Sequence, residues 1–122
     1  EVFANTAKLA IPDSPAAGVQ SSLNVSSAVA GRKVQVKLDL THTYRGDLLV
    51  ELVSAEGKVV VLHSRSGGSL DDLRGTFGVD LVSAQDLSAL AQAKAGVWKL
   101  RVTDKALRDV GTLNSWSLIL KK

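Results

Sequence analysis

From Val34 to Leu40 every second side chain is apolar, with Gln35, Lys37 and Asp39 between them. That two-residue period predicts a strand with one buried and one wet face. Leu48 to Val53 and Lys58 to Leu62 are further apolar runs, and the intervening Ser54-Ala55-Glu56-Gly57 supplies turn chemistry, so the pair predicts a hairpin. Val97 to Val102 and Ser115 to Leu120 alternate again on either side of a polar stretch from Thr103 to Asn114. Shorter candidates are Lys8 to Ile11, Gln20 to Val25 and Thr76 to Val82. About eight short strands at this spacing predict an all-β jelly-roll β-sandwich, mostly antiparallel. The connections are too short and too rich in Gly, Ser and Asp to hold the helices that a parallel sheet needs.

One segment breaks the pattern. Ser83 to Ala95 is rich in Ala, Leu, Gln and Lys, opens with Ser83 three residues before Asp86 and stops at Gly96. These start and stop signals predict a short helical turn near 84–94, or an ordered loop, with Leu87, Leu90 and Ala91 facing the core.

A chain of 122 residues, 45% hydrophobic, is one domain with enough apolar side chain for a core of its own. It opens at Glu1 and contains no methionine, which reads as a segment 1–122 excised from a larger precursor. The net charge of +3 comes from scattered basic residues, apart from Lys121-Lys122, so no nucleic-acid face is expected. Nor is a membrane span expected, because no apolar run approaches the roughly 18 residues one requires. The absence of cysteine removes disulfides, thiolate metal sites and cysteine nucleophiles.

Candidate chemistry is sparse. His42 and His63 stand 21 positions apart at strand ends, without the one-turn spacing of a zinc protease, and no Gly-x-Ser-x-Gly elbow accompanies them. They read as structural histidines bonding nearby loops, and the chain alone as a non-enzyme. Gly67-Gly68-Ser69 lacks the lysine and helix of a phosphate loop and reads as a tight turn. Arg45-Gly46-Asp47 matches an adhesion tripeptide, but Asp47 directly before a strand suits a turn whose carboxylate caps backbone N–H groups. Trp98 and Trp116 alternate with polar neighbours and read as core. Asp13, Asp47, Asp71, Asp72, Asp104 and Asp109 all lie at predicted strand ends. In a jelly roll, Asp47, Asp104 and Asp109 can converge at one end as oxygen ligands for calcium; equally, each can cap its own turn.

Taken in order, several blocks form a recognisable set: Ile11-Pro12-Asp13, Gly18-Val19-Gln20-Ser21, Thr41 to Leu48, Gly67-Gly68-Ser69, Gly96 to Asp104 and Asp109 to Leu118. Together they resemble the P domain (Homo B domain) that follows the catalytic domain in proprotein convertases and many bacterial extracellular proteases. The resemblance runs from Phe3 to Leu120. It implies a monomeric accessory domain of a secreted, bacterial subtilisin-like serine protease or zinc metalloprotease, the serine type first. That domain would act in cis on the catalytic domain, supporting its folding, stability and calcium dependence, and would also take part in holding protein substrate. Of the motif positions, Asp47 and Asp104 match. The alanine-rich stretch 84–95 departs from the family pattern. A different class of function is a ligand-binding module tethering the parent to polysaccharide or fibrous protein, which needs exposed aromatics on one face. Two Trp, two Phe and one Tyr offer few.

Overall fold

The computed structural model describes residues 2–11, 18–26, 29, 31–42, 44–65, 71–90, 94–105 and 111–121. Nine strands follow one another: β1 (Val2–Asn5), β2 (Leu9–Ile11), β3 (Gly18–Val25), β4 (Lys33–His42), β5 (Leu48–Val53), β6 (Val59–Ser64), β7 (Leu73–Phe77), β8 (Gly96–Asp104) and β9 (Gly111–Lys121). One sheet runs β1-β9-β4-β7, with β2 also beside β9; the other runs β3-β8-β5-β6. Every ladder is antiparallel. The chain changes sheet at each connection except β1–β2 and the β5–β6 hairpin, and this gives the expected two-sheet sandwich.

Alternation decides which side chains meet between the sheets. Val34, Val36, Leu38 and Leu40 of β4 face Leu48, Val50 and Leu52 of β5 and Trp98, Leu100 and Val102 of β8 across a single core. Two bulges keep that core continuous where the sequence loses phase. In β9 both Leu113 and Trp116 are buried although three positions apart, because the register with β4 shifts between Asp39 and Leu40 and leaves Asn114 unopposed. In β6 a shift between the partners of Val50 and Glu51 lets the consecutive Leu62 and His63 both be buried. Each tryptophan satisfies its indole N–H: Trp116 Nε1 donates to Ser21 Oγ at 2.9 Å and Trp98 Nε1 to the Lys94 carbonyl at 3.0 Å.

The boundaries differ from the pattern in instructive places. β9 begins at Gly111 and β8 runs on to Asp104, so much of the polar stretch 103–114 is strand; its polar side chains belong to the ladder ends and the bulge. β1, too short to show alternation, is held by pairing with β9. The strand expected at Thr76 to Val82 is instead β7, Leu73–Phe77. Gly78, at φ +97°, turns the chain there, and the Thr76 carbonyl accepts the N–H groups of Val79, Asp80 and Leu81.

The crossover from β7 to β8 closes one flank of the sandwich. Its helical signal yields a 3₁₀ turn at Leu87–Leu90 with both leucines buried, while Ala91 lies outside the described residues. Ala84 and Gln85 donate their N–H groups to Leu62 and Val61, and the Gln85 side chain accepts from the Val61 N–H. That segment therefore covers the edge of β6. Asp80 takes the Thr76 N–H at the edge of β7, and Asn5 donates to the Ser22 carbonyl of edge strand β3. Edges bonded in this way are poor templates for further strand pairing.

Trp98→Ala should destabilise the domain by about 3–5 kcal/mol, because a fully buried ring is removed and its cavity cannot collapse against two sheets. Val82→Ala, at a site 93% exposed, should stay within roughly 0.5 kcal/mol of the parent. Urea unfolding followed by tryptophan fluorescence compares Val82→Ala with the parent, and circular dichroism serves for the tryptophan variant.

Candidate functional site

At one end of the sandwich β4 finishes at His42 opposite Gly111, and β8 finishes at Asp104 opposite Leu48. The connections between Ile11 and Gly18, Arg65 and Asp71, and Lys105 and Gly111 all leave and return at this end. His42 is 1% exposed, Asp104 is fully buried and Asp47 is 7% exposed. Three polar side chains so deep require partners.

Every polar group of His42 is bonded. Its backbone N–H donates to Asp72 Oδ1 at 3.1 Å and its carbonyl accepts the Asp72 N–H at 2.8 Å. The Tyr44 N–H, which can only donate, points at Nδ1 from 2.9 Å. Nδ1 is therefore the bare nitrogen, and the ring proton sits on Nε2, which donates to Asp104 Oδ2 at 3.0 Å. A ring with both nitrogens committed inside the protein is not placed to take a proton from a substrate. Gly111 permits this closeness, since a Cβ there would lie 2.6 Å from both the His42 ring and the Thr41 carbonyl. His63, buried on the core side of β6, faces Val50 across the β5–β6 ladder.

Asp47 ends a 3₁₀ turn, Arg45–Asp47, whose N–H at Asp47 donates to the Tyr44 carbonyl, and its own carbonyl accepts the Lys105 N–H at 2.7 Å. Gly46 and Asp47 are buried within this turn, which does not suit their display as part of an adhesion tripeptide. The fold thus brings Asp47 and Asp104 to the same end on adjacent strands, as expected; Asp109 lies outside the described residues. Calcium takes six to eight oxygens. Among the described residues no three His, Cys, Asp or Glu side chains gather to hold a metal ion, and Asp104 already accepts from His42. A calcium shell here requires oxygens beyond these two carboxylates.

A polar chain that the sequence pattern does not reveal leads outward from His42. Asp72 meets Arg74 at 3.4 Å, Arg74 donates to Asp39 at 2.9 Å, and Asn114 at the β9 bulge donates to the same Asp39 oxygen at 3.1 Å. The hydrogen bond from Arg74, with that from Asn114 behind it, holds the Asp39 carboxyl below the usual carboxylate range. The sequence places Asp72 among the loop acids, but no local signal ties it to a histidine 30 positions earlier.

The antiparallel sandwich, with a bonded histidine and buried carboxylates at its loop end, has relatives among known proteins. The proprotein convertase P-domain family model matches residues 31–120, and the chain belongs to that family. It is 46% identical over 118 residues to leupeptin-inactivating enzyme 1 of Streptomyces exfoliatus, covering 95% of this chain and 25% of that protein. To the transglutaminase-activating metalloprotease of Streptomyces mobaraensis it is 38% identical over 118 residues, covering 96% and 14%. To a calcium-dependent protease of Trichormus variabilis it is 39% identical over 105 residues, covering 83% and 16%. The chain therefore spans a quarter or less of these relatives. Among solved structures, the Aeromonas sobria serine protease in complex with its chaperone superposes with a TM-score of 0.58 at 22% identity, over 99% of this chain and 27% of that one, which bears on the fold.

His42→Ala should cost on the order of 2–4 kcal/mol, since it opens a cavity and takes a hydrogen bond from buried Asp104. Asp104→Asn can still accept the Nε2–H through its amide oxygen and should cost less than half as much; denaturant midpoints of the two variants give the comparison. A pH series tests the outer part of the chain. With its folded pKa lowered, Asp39 contributes stability that is present above its ordinary value and is lost as pH falls through the folded one. Asp39→Asn should therefore lower the melting temperature at pH 7 and lose less of it than the parent on acidification.

Proposed function

We propose that this chain is the accessory domain of an exported bacterial peptidase, acting in cis to support the folding and stability of the catalytic domain. The observation that carries this reading is that the domain recurs in relatives several times its length named as a metalloprotease and as a calcium-dependent protease, and that its fold recurs in a serine protease. A module that accompanies different catalytic chemistries serves something those chemistries share, and a rigid sandwich with bonded edges suits docking and stabilisation by buried area. The exposed aromatic face that a tethering module needs has little support. Both tryptophans and Phe77 are buried, and Tyr44 is 39% exposed. Protein substrate, if held, would be held as part of the parent enzyme.

Calcium dependence is the second part of the proposal, with Asp47, Asp104 and Asp109 supplying carboxylates at the loop end. It is supported by the juxtaposition of the first two and by the calcium-dependent name of a relative. Calcium bound only by the native domain at a hundredfold excess over its dissociation constant adds about 2.7 kcal/mol, which for a domain of this size is roughly 10 °C in melting temperature. Thermal unfolding in calcium and in chelator should show that rise, and Asp47→Ala or Asp109→Ala should remove it while leaving the chelated protein folded. No shift in the parent sinks the metal site and leaves the support role. Deleting residues 1–122 from the full-length polypeptide tests that role: the remaining peptidase should melt lower and be recovered in smaller yield. An unchanged peptidase would overturn it.

A further inference from the structure

At the opposite end from His42, the start of β4 and the β7–β8 crossover enclose a half-open cleft of about 410 Å³. Val34 and Leu87 form its buried apolar base, and Leu81 is partly buried beside them. Its lips are Val79 and Val82, 68% and 93% exposed, the two most exposed large apolar side chains among the described residues. Single exposed valines are ordinary on a protein surface. Two that line the same apolar cleft add exposed apolar surface to a concavity, a combination that marks an interaction site.

Charge around the mouth has one predominant sign. Arg32 and Lys33 line it, and Lys121 stands opposite Lys33 in the β4–β9 ladder. The acid on the rim, Asp86, accepts the Ser88 N–H at 2.9 Å, a bond that holds its carboxyl below the usual range. The complementary surface is thus an apolar side chain flanked by acidic groups.

The ladder also locates both ends of the described chain. Lys121 lies beside Lys33 at the cleft, and Val2 pairs with Ile119, itself opposite Gln35 of β4. A domain joined to either end would emerge on the same side of the sandwich as the cleft, so that the two would meet within one molecule. The His42–Asp104 end points the other way.

We propose that this cleft is the seat of the attached peptidase domain, which inserts an apolar side chain between Val79 and Val82 and sets acidic groups against Arg32, Lys33 and Lys121. This rests on the accessory-domain reading above and assigns to it a face. The test compares hydrogen exchange and thermal unfolding in the full-length polypeptide and in the 122-residue domain, which has a complete core of its own. Amides from Val79 to Ser83 should exchange roughly tenfold or more slowly in the full-length protein. Val82→Asp and Lys33→Glu should each abolish that protection and lower the peptidase melting temperature towards that of the deletion, while the isolated variants melt within about 2 °C of the parent domain because both sites are exposed. If deletion lowers peptidase stability but both substitutions leave it intact and the 79–83 amides exchange equally fast in the two proteins, the cleft is not the seat and the accessory role stands. If deletion itself has no effect, both readings fall together.

Discussion

Between Lys33–His42 of β4 and Gly111–Lys121 of β9, the two strands must keep one apolar row on the core side along the whole of their shared length. A strand out of phase by one residue would turn its entire row to solvent. β9 carries such a phase break, with Leu113 and Trp116 both needing the interior, and the bulge at Asn114 repairs it. Because this ladder spans the first sheet from end to end, it also decides what meets at each end. It sets His42 against Gly111 at one, and Lys33 against Lys121 at the other.

The His42 end is governed by the cost of burying polar atoms. An imidazole and two carboxylates lie among strand ends where water is largely excluded, and each bond of His42 satisfies a group that would otherwise be stranded. The outcome is a ring whose tautomer is dictated by a backbone N–H, on a residue whose own backbone is joined through Asp72 and Arg74 to the polar surface of the first sheet. This organisation ties β4, β7 and β8 together where the loops between them depart. It holds a histidine and an aspartate 3.0 Å apart as a fixed link between the ends of two strands.

The opposite end is organised by apolar surface and charge. The crossover that seals the β6 edge and inserts Leu87 and Leu90 between the sheets also leaves Val79 and Val82 outside. One segment thereby closes the core and creates the patch beside Arg32 and Lys33. The proposed seat of a neighbouring domain therefore lies on the segment that closes this domain's own flank.

The all-β class, the positions of seven of the nine strands and the burial of both tryptophans were legible in the sequence, because alternation with period two is a local consequence of strand geometry. The ordered blocks likewise carried the family, and with it the expectation of an accessory role beside a protease. Ladder partners were not legible. Whether Asp104 meets His42 62 positions away, or Asp39 meets Arg74 and Asn114, depends on which strands lie side by side, and residue type alone does not encode that. The short helical turn expected near 84–94 is there, as the 3₁₀ turn Leu87–Leu90, but at the end of β7 a turn at Gly78 overrode a run that reads as strand. There, as in the choice of ladder partners, local propensity was worth less than the tertiary requirement to fill the core and satisfy buried polar groups, and only the assembled sandwich states that requirement.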